Sequence, residues 1–463
     1  MNGTILIFAF VFALMLAVVP GSAAVKPHAL FSDNAVLQQG MKVPVWGTAD
    51  DGEKVTVKFQ NQVVSTIAKR GQWILWLEPL QAGGPFTLTI NSLELKNILV
   101  GEVWVCSGQS NMWWLLAQTV DAEKAIADSK DSSLRLLTVP MAATRPKEFA
   151  VSWKKCGPET AHDFSAVGYY FGRDLRKSLK VPVGLINSSV GGTLAEAWMS
   201  RRALKANPDF KVILDNPYPV PNRSSCLYNG MIAPLLPYAI RGAIWYQGES
   251  NAGRAFQYRI LFPTMIQDWR ESWRQGDFPF LFVQLAPYGK IETEPGDSAW
   301  AELREAQLLT SLNVPHTAMA VITDFGDPVD IHPQNKEPVS ARLALAARAV
   351  AYGERIVYSG PIYKSMKIEG DRVILSFDHV GSGLAAKDGE LKGFTIADQN
   401  GKFSNAQAEI QGNKVAVWSP QVEHPTAVRY GWANCPVVNL YNEEGLPASP
   451  FRTDDFPILT KPK

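Results

Sequence analysis

Five short apolar runs, at 103–106, 183–186, 243–246, 280–285 and 319–322, limit most strongly what this chain can fold into. Between them, as in 167–175 and 258–273, apolar residues recur at spacings of three and four, the period of an amphipathic helix. Strands that alternate with helices build a parallel sheet through right-handed crossovers. In open sheets of this type ligands sit beyond the carboxyl ends of the strands, so chemistry is expected in the loops that follow the runs.

The flanking tracts follow another pattern. Residues 25–98 are short alternating runs broken by turn residues, such as Val55-Thr56-Val57-Lys58-Phe59 and Trp73-Ile74-Leu75-Trp76-Leu77, which predicts a β-sandwich module. Residues 359–463 repeat the style, with Arg372-Val373-Ile374-Leu375 and Lys414-Val415-Ala416-Val417-Trp418. The expected organisation is a leader at 1–24, a β-sandwich at 25–98, an α/β unit at 99–358 and a β-rich unit at 359–463. The leader follows from an apolar run at 5–20 and the small residues Gly21, Ser22, Ala23 and Ala24, a secretory signal with its cleavage site. Its first residues lack the usual Lys or Arg, and an uncleaved anchor is the other reading of the run. Later segments are too short or too polar to span a bilayer, so a secreted or periplasmic protein is expected, free of the membrane once the signal is cut.

With 45 Lys+Arg against 44 Asp+Glu, a net charge of +1 supplies no field to draw nucleic acid or anionic membrane. Four scattered cysteines, Cys106, Cys156, Cys226 and Cys435, make no disulfide scaffold, although export would allow one bridge. Cys106 reads as a small core residue. The six histidines form no short metal-ligand pair, and no phosphate-binding loop is present.

The loops after the runs carry unusual residues. After the first comes Gly108-Gln109-Ser110-Asn111-Met112, which puts Ser110 at a strand-to-helix turn leading into an apolar stretch at 113–117. Backbone N–H groups at such a turn suit a nucleophile whose reaction builds negative charge beside it. Taken alone, Ser110 is as well explained as a helix cap. After the second run stands Gly191-Gly192-Thr193, after the third Trp245-Tyr246-Gln247-Gly248-Glu249-Ser250-Asn251, and after the fifth Asp330-Ile331-His332-Pro333. Each has a structural explanation by itself; their fall after successive strands of one sheet favours a shared site. The G-x-S-x-G elbow of α/β-hydrolases is absent.

These four strings, in this order, resemble the sialate O-acetylesterases and related carbohydrate acetylesterases of the SGNH-hydrolase superfamily, over nearly all of the chain after the leader. The resemblance implies a flavodoxin-like three-layer α/β/α domain with flanking β-sandwich modules, no metal or organic cofactor, and an O-acetylated carbohydrate as substrate. It implies Ser110 as nucleophile, His332 as general base and an oxyanion hole from the Ser110 and Gly192 N–H groups plus a side-chain amide. That amide is Gln247 or Asn251, with Gln247 preferred. Asp330 is the expected partner of His332, with Asp324, Asp327 or a backbone carbonyl as alternatives. Glu249 is expected to tie the loops together.

Three functions are compatible with these residues: a sialate O-acetylesterase, an acetylesterase of plant polysaccharide such as xylan or xyloglucan, and a non-catalytic carbohydrate-binding protein. A sialic acid carries a carboxylate that Arg201, Arg202 or Arg223 could clamp. Trp113, Trp114, Trp198, Trp245 and Tyr246 lie near the loops, although core packing is the simpler account of any one of them. The sequence carries no signal for an oligomeric state.

Overall fold

The computed structural model describes residues 25–215 and 217–462, so the expected leader lies outside the described residues. The chain is organised around one 16-residue strand, β1 (Leu93–Gly108). Its first half pairs antiparallel with Gly83–Ile90 of the N-terminal β module. Its second half lies between β4 (Val183–Ser189) and β5 (Gly242–Tyr246), parallel to both. The strand runs through position 98/99 without a break, so the N-terminal module and the α/β unit share one continuous backbone ladder.

Adding β2 (Asp131–Thr138), β3 (Lys154–Cys156), β6 (Phe280–Val283) and β7 (Thr317–Ala320) gives the order β3-β2-β4-β1-β5-β6-β7. All are parallel except the edge strand β3. From β1 the chain lays β2, β3 and β4 on one side and β5, β6 and β7 on the other, so β1 is the point where the sheet changes direction, and ligands are expected beyond its carboxyl end. Every residue of β4, β5 and β6 is buried, as expected when helices cover both faces.

Alternation along β1 assigns the two faces. Val103 and Val105 point into one core, with Trp245, Phe280 and Phe282 under α3 (Ala255–Trp273) and α4 (Ala299–Asn313). Trp104 and Cys106 point into the other, with Ile244 and Leu281 under α2 (Ala166–Leu179) and α5 (Glu337–Val350). Ser165 and Ser298 start α2 and α4 by accepting from Gly168 N and Ala301 N, both at 3.0 Å.

The sequence reading missed β2 because Arg135 interrupts its apolar run. The guanidinium is buried there and donates to Ser132 O (2.8 Å), Asn34 O (3.2 Å) and Asn97 Oδ1 (3.3 Å), which satisfies it within the fold. The apolar stretch at 113–117 does not continue a helix: α1 is the single turn Ser110–Trp113, and Leu115 then bridges to Ser165. All four cysteines are buried and unpaired, so the bridge that export would allow is not formed.

The C-terminal β unit packs two four-stranded sheets over a core that includes Val373, Leu375, Ile396, Val415, Val417 and Val428. Arg304 on α4 fastens it to the α/β unit. Fully buried, its guanidinium donates to Leu285 O and Ala286 O after β6, and to Ala433 O and Asn434 O of the C-terminal unit, at 2.8–3.0 Å. Arg304→Met should therefore strand four carbonyls and cost about 3 kcal/mol, read as a lower urea midpoint. A wild-type midpoint would show that these bonds contribute nothing net.

Candidate active site

Strand register places the loops. Gly108 stands level with Ser189 on β4 and with Tyr246 on β5, so the chain leaves three adjacent strands at one height. Val190 N donates to Gly108 O (3.1 Å) and Gln109 N to Tyr246 O (3.0 Å), which continues the ladder into the turns. Gly108 has φ +138°, and a Cβ there would stand 2.1 Å from Tyr246 O; only glycine fits. The next turn delivers Ser110 at the first position of α1, where its N–H has no acceptor within the helix.

Ser110 Oγ lies 2.9 Å from His332 Nε2, across 222 residues of sequence. On the other side of the ring, Nδ1 is 3.3 Å from Asp330 Oδ1, which also accepts from the His332 backbone N–H (2.9 Å). The other two acids of the loop are occupied elsewhere. Asp324 forms a two-pronged pair with Arg342, both contacts at 2.6 Å, and Asp327 accepts from Val329 N (2.7 Å) and Asp330 N (3.0 Å) to shape the turn. Trp114 stacks on the imidazole at 5.1 Å. Burial holds the His332 pKa below its ordinary value, with Asp330 opposing and Lys336 reinforcing that shift.

Gly191 packs directly on the serine, since a Cβ there would sit 3.5 Å from that of Ser110. Gly192 takes φ +69° and is held by Asn222, which donates to Gly192 O (3.0 Å) and accepts from Leu194 N (2.8 Å). In the third loop the Gln247 amide donates to Thr193 O (3.1 Å) and Asn251 Oδ1 (2.7 Å), while its oxygen accepts from Tyr258 (2.9 Å). Both hydrogens of that amide are thus engaged. Asn251 spends one of its two on Glu196 Oε2 (3.0 Å). Glu249 accepts from Asn111 Nδ2 (2.6 Å), and burial pushes its carboxyl pKa up.

Four residues of this site escaped the sequence reading. Gln109 reaches from the serine turn toward Gly248 N (3.4 Å) and Ser250 N (3.3 Å). Glu196, fully buried, takes Asn251 and the Arg254 guanidinium (2.6 Å). Asn222 clamps the glycine loop, and Lys336, fully buried, donates to Asn111 Oδ1. Lys336 lies four residues after His332, but the segment between them is loop and not helix, so the spacing alone did not place it in the site. Of the aromatic residues near the loops, Trp198, Trp245 and Tyr246 are core, Trp114 is half-buried, and Trp113 faces solvent. Arg202 pairs with Glu271 (2.7 Å), whereas Arg223 is exposed directly after Asn222.

Residues 100–346 match the model of the family described as carbohydrate esterase, sialic acid-specific acetylesterase. The chain belongs to this family. Human sialate O-acetylesterase is 32% identical over 88% of this chain and 88% of its own, and the mouse protein is 31% identical over 88% and 90%. The crystal structure of a carbohydrate acetylesterase from Xanthomonas citri superposes with a TM-score of 0.86 at 41% identity, covering 93% of this chain and all of that one. Membership makes this chain a carboxylic ester hydrolase, and the α/β/α domain with β-sandwich neighbours is the fold that the resemblance implied.

Gly108→Ala tests the register argument. The added methyl meets Tyr246 O and must displace the Ser110 turn, so esterase activity should fall by about 10²-fold or more in protein that remains folded by circular dichroism. Wild-type turnover would show that the turn tolerates the shift.

Proposed function

We propose that this esterase removes O-acetyl groups from sialic acids through an acetyl-enzyme on Ser110, with His332 as general base and acid and Asp330 orienting the imidazole. The observation that carries the reading is the Ser110 Oγ to His332 Nε2 contact of 2.9 Å, with a carboxylate on the opposite ring nitrogen. Ser110 Oγ attacks the acetyl carbonyl as its proton passes to Nε2. The tetrahedral intermediate collapses, and the departing sugar oxygen takes that proton. Water then attacks the acetyl-enzyme, gives a proton to Nε2, and acetate leaves as Ser110 recovers its hydrogen.

The developing oxyanion is assigned to the Ser110 and Gly192 N–H groups and one side-chain amide. Gln247 would have to release Thr193 O or Asn251 to donate, whereas Asn251 has a second amide hydrogen to offer. Arg223, exposed on the loop that holds Gly192, is the cation best placed by sequence and backbone to meet a sialic acid carboxylate. Exposed Trp113 beside the nucleophile suits the apolar face of a sugar ring. The reading includes a cleaved leader at 1–24, export, and units at 25–98, 99–358 and 359–463. An acetylesterase of another carbohydrate, such as a plant polysaccharide, is the second reading, with which the 41% identity to the Xanthomonas citri carbohydrate acetylesterase is compatible.

Acetate release from O-acetylated sialic acid and from acetylated xylan, by wild type and Ser110→Ala, tests both. Release from the sialic acid, reduced on the order of 10⁵-fold in the variant, is expected. Release from xylan alone would transfer the enzyme to polysaccharide, and undiminished release by the variant would remove Ser110 from the mechanism. Gln247→Ala and Asn251→Ala assign the third donor: the variant that loses it should drop in kcat by about 10² to 10³, with the other nearer wild type.

A further inference from the structure

An ammonium group with no exposure to solvent lies next to the serine turn. Lys336 immediately precedes α5, and its backbone carbonyl accepts from Ser340 N (3.1 Å), so the helix start fixes where its side chain begins. The stem passes inward, and Nζ stands 5.5 Å from the ring centres of both Trp114 and Tyr246. Trp114 carries the His332 imidazole stacked against it. Isolating an ammonium in such a place costs several kcal/mol unless its hydrogens are used.

The partner is Asn111, the residue after the proposed nucleophile. In its charged form lysine can only donate, so the hydrogen bond from Nζ identifies the acceptor as the Asn111 oxygen and leaves the amide hydrogens for two acceptors. One is Glu249 Oε1 (2.6 Å) and the other is the carbonyl of Ile331 (3.1 Å), directly before His332. Asn111, itself fully buried, therefore joins three loops at one point: the serine turn, the third loop and the histidine loop.

We propose that Lys336 is a positioning residue for ester hydrolysis, its ammonium orienting the Asn111 amide so that the serine turn is held in register with the histidine loop. The proposal rests on the Ser110–His332 reading above. The titratable groups facing Lys336 are Glu249 on the third loop, Asp330 and His332 on the histidine loop, and Tyr246 at the end of β5. Burial draws the Lys336 pKa down to about 7, with Glu249 and Asp330 resisting. A positive charge at this position disfavours a second one on His332, so its removal raises the His332 pKa. The acidic limb of kcat/KM then moves to higher pH.

Lys336→Met and the charge-balanced Lys336→Met/Glu249→Gln separate positioning from bulk stability, assayed with p-nitrophenyl acetate and by thermal unfolding. Expected in folded protein is a fall in kcat of about 10²-fold, a KM within about twofold of wild type, and an acidic limb displaced to higher pH. Asn111→Ala breaks the same bridge but keeps the ammonium, so kcat should fall comparably while the limb stays in place. A folded double variant with wild-type kcat and an unmoved limb overturns the proposal. Should neither charge variant fold, wild-type kcat in Asn111→Ala overturns it and a reduced kcat supports it. Loss of the serine reading is a separate result, seen as turnover that survives Ser110→Ala.

Discussion

The active site depends on one constraint, the buried parallel register of β1 between β4 and β5. Gly108 is hemmed in by Tyr246 O on one side and takes a hydrogen bond from Val190 N on the other, so the chain has one way out of the sheet. Because neighbouring strands end level, Ser110, the glycine pair and the amide-rich loop emerge within a few ångströms of each other with no long-range device to gather them. Backbone hydrogen bonds in a solvent-free sheet leave no cheaper arrangement, since a register slip would strand each donor and acceptor it moved. The same strand extends into the N-terminal module, so that module's pairing steadies the strand that leads into the Ser110 turn.

Above the sheet, precision passes from backbone to buried polar side chains. Gln109, Asn111, Asn222, Gln247 and Asn251 each bridge two or more loops, and Glu196, Glu249 and Lys336 supply the charges that orient them. Amides suit this position because they donate and accept at fixed angles and carry no net charge to desolvate. A low local dielectric strengthens each bond and also makes a half-satisfied network costly, so the set is rigid as a unit.

What the sequence disclosed follows from this division of labour. The 103–106 part of β1 and strands β4, β5, β6 and β7 were legible because they are almost wholly buried and their runs are apolar; β2 was not, because Arg135 finds its partners in the N-terminal module, at Asn34 and Asn97, far from it in sequence. Ser110, Gly192 and His332 stood out as candidates because their loops follow successive strands of one sheet and match the family's strings. Gln109 and Lys336 were not, since a polar residue at a strand end or before a helix is ordinarily solvated, and only the folded chain reveals that these two are enclosed. Three acids stood near His332 in sequence, and the choice among them needed geometry: Arg342 engages Asp324, the turn uses Asp327, and Asp330 faces the ring.

The surroundings of His332 bear on how a partly open site could keep the proposed base neutral. The Asp330 side chain is 47% exposed, so water screens much of its pull on the imidazolium. Lys336 is screened far less because it lies in the interior, and it acts in the opposite direction. Burial of the ring is the larger cause of its lowered pKa and Lys336 adds to it, so the imidazole stays neutral at pH values where an ordinary histidine would begin to charge, as the proposed base must. Asp330 both opposes that shift and, through contacts to the ring Nδ1 and the His332 backbone N–H, fixes where the imidazole stands. Under the proposed mechanism, the buried Lys336 bears on both the position and the protonation state of His332.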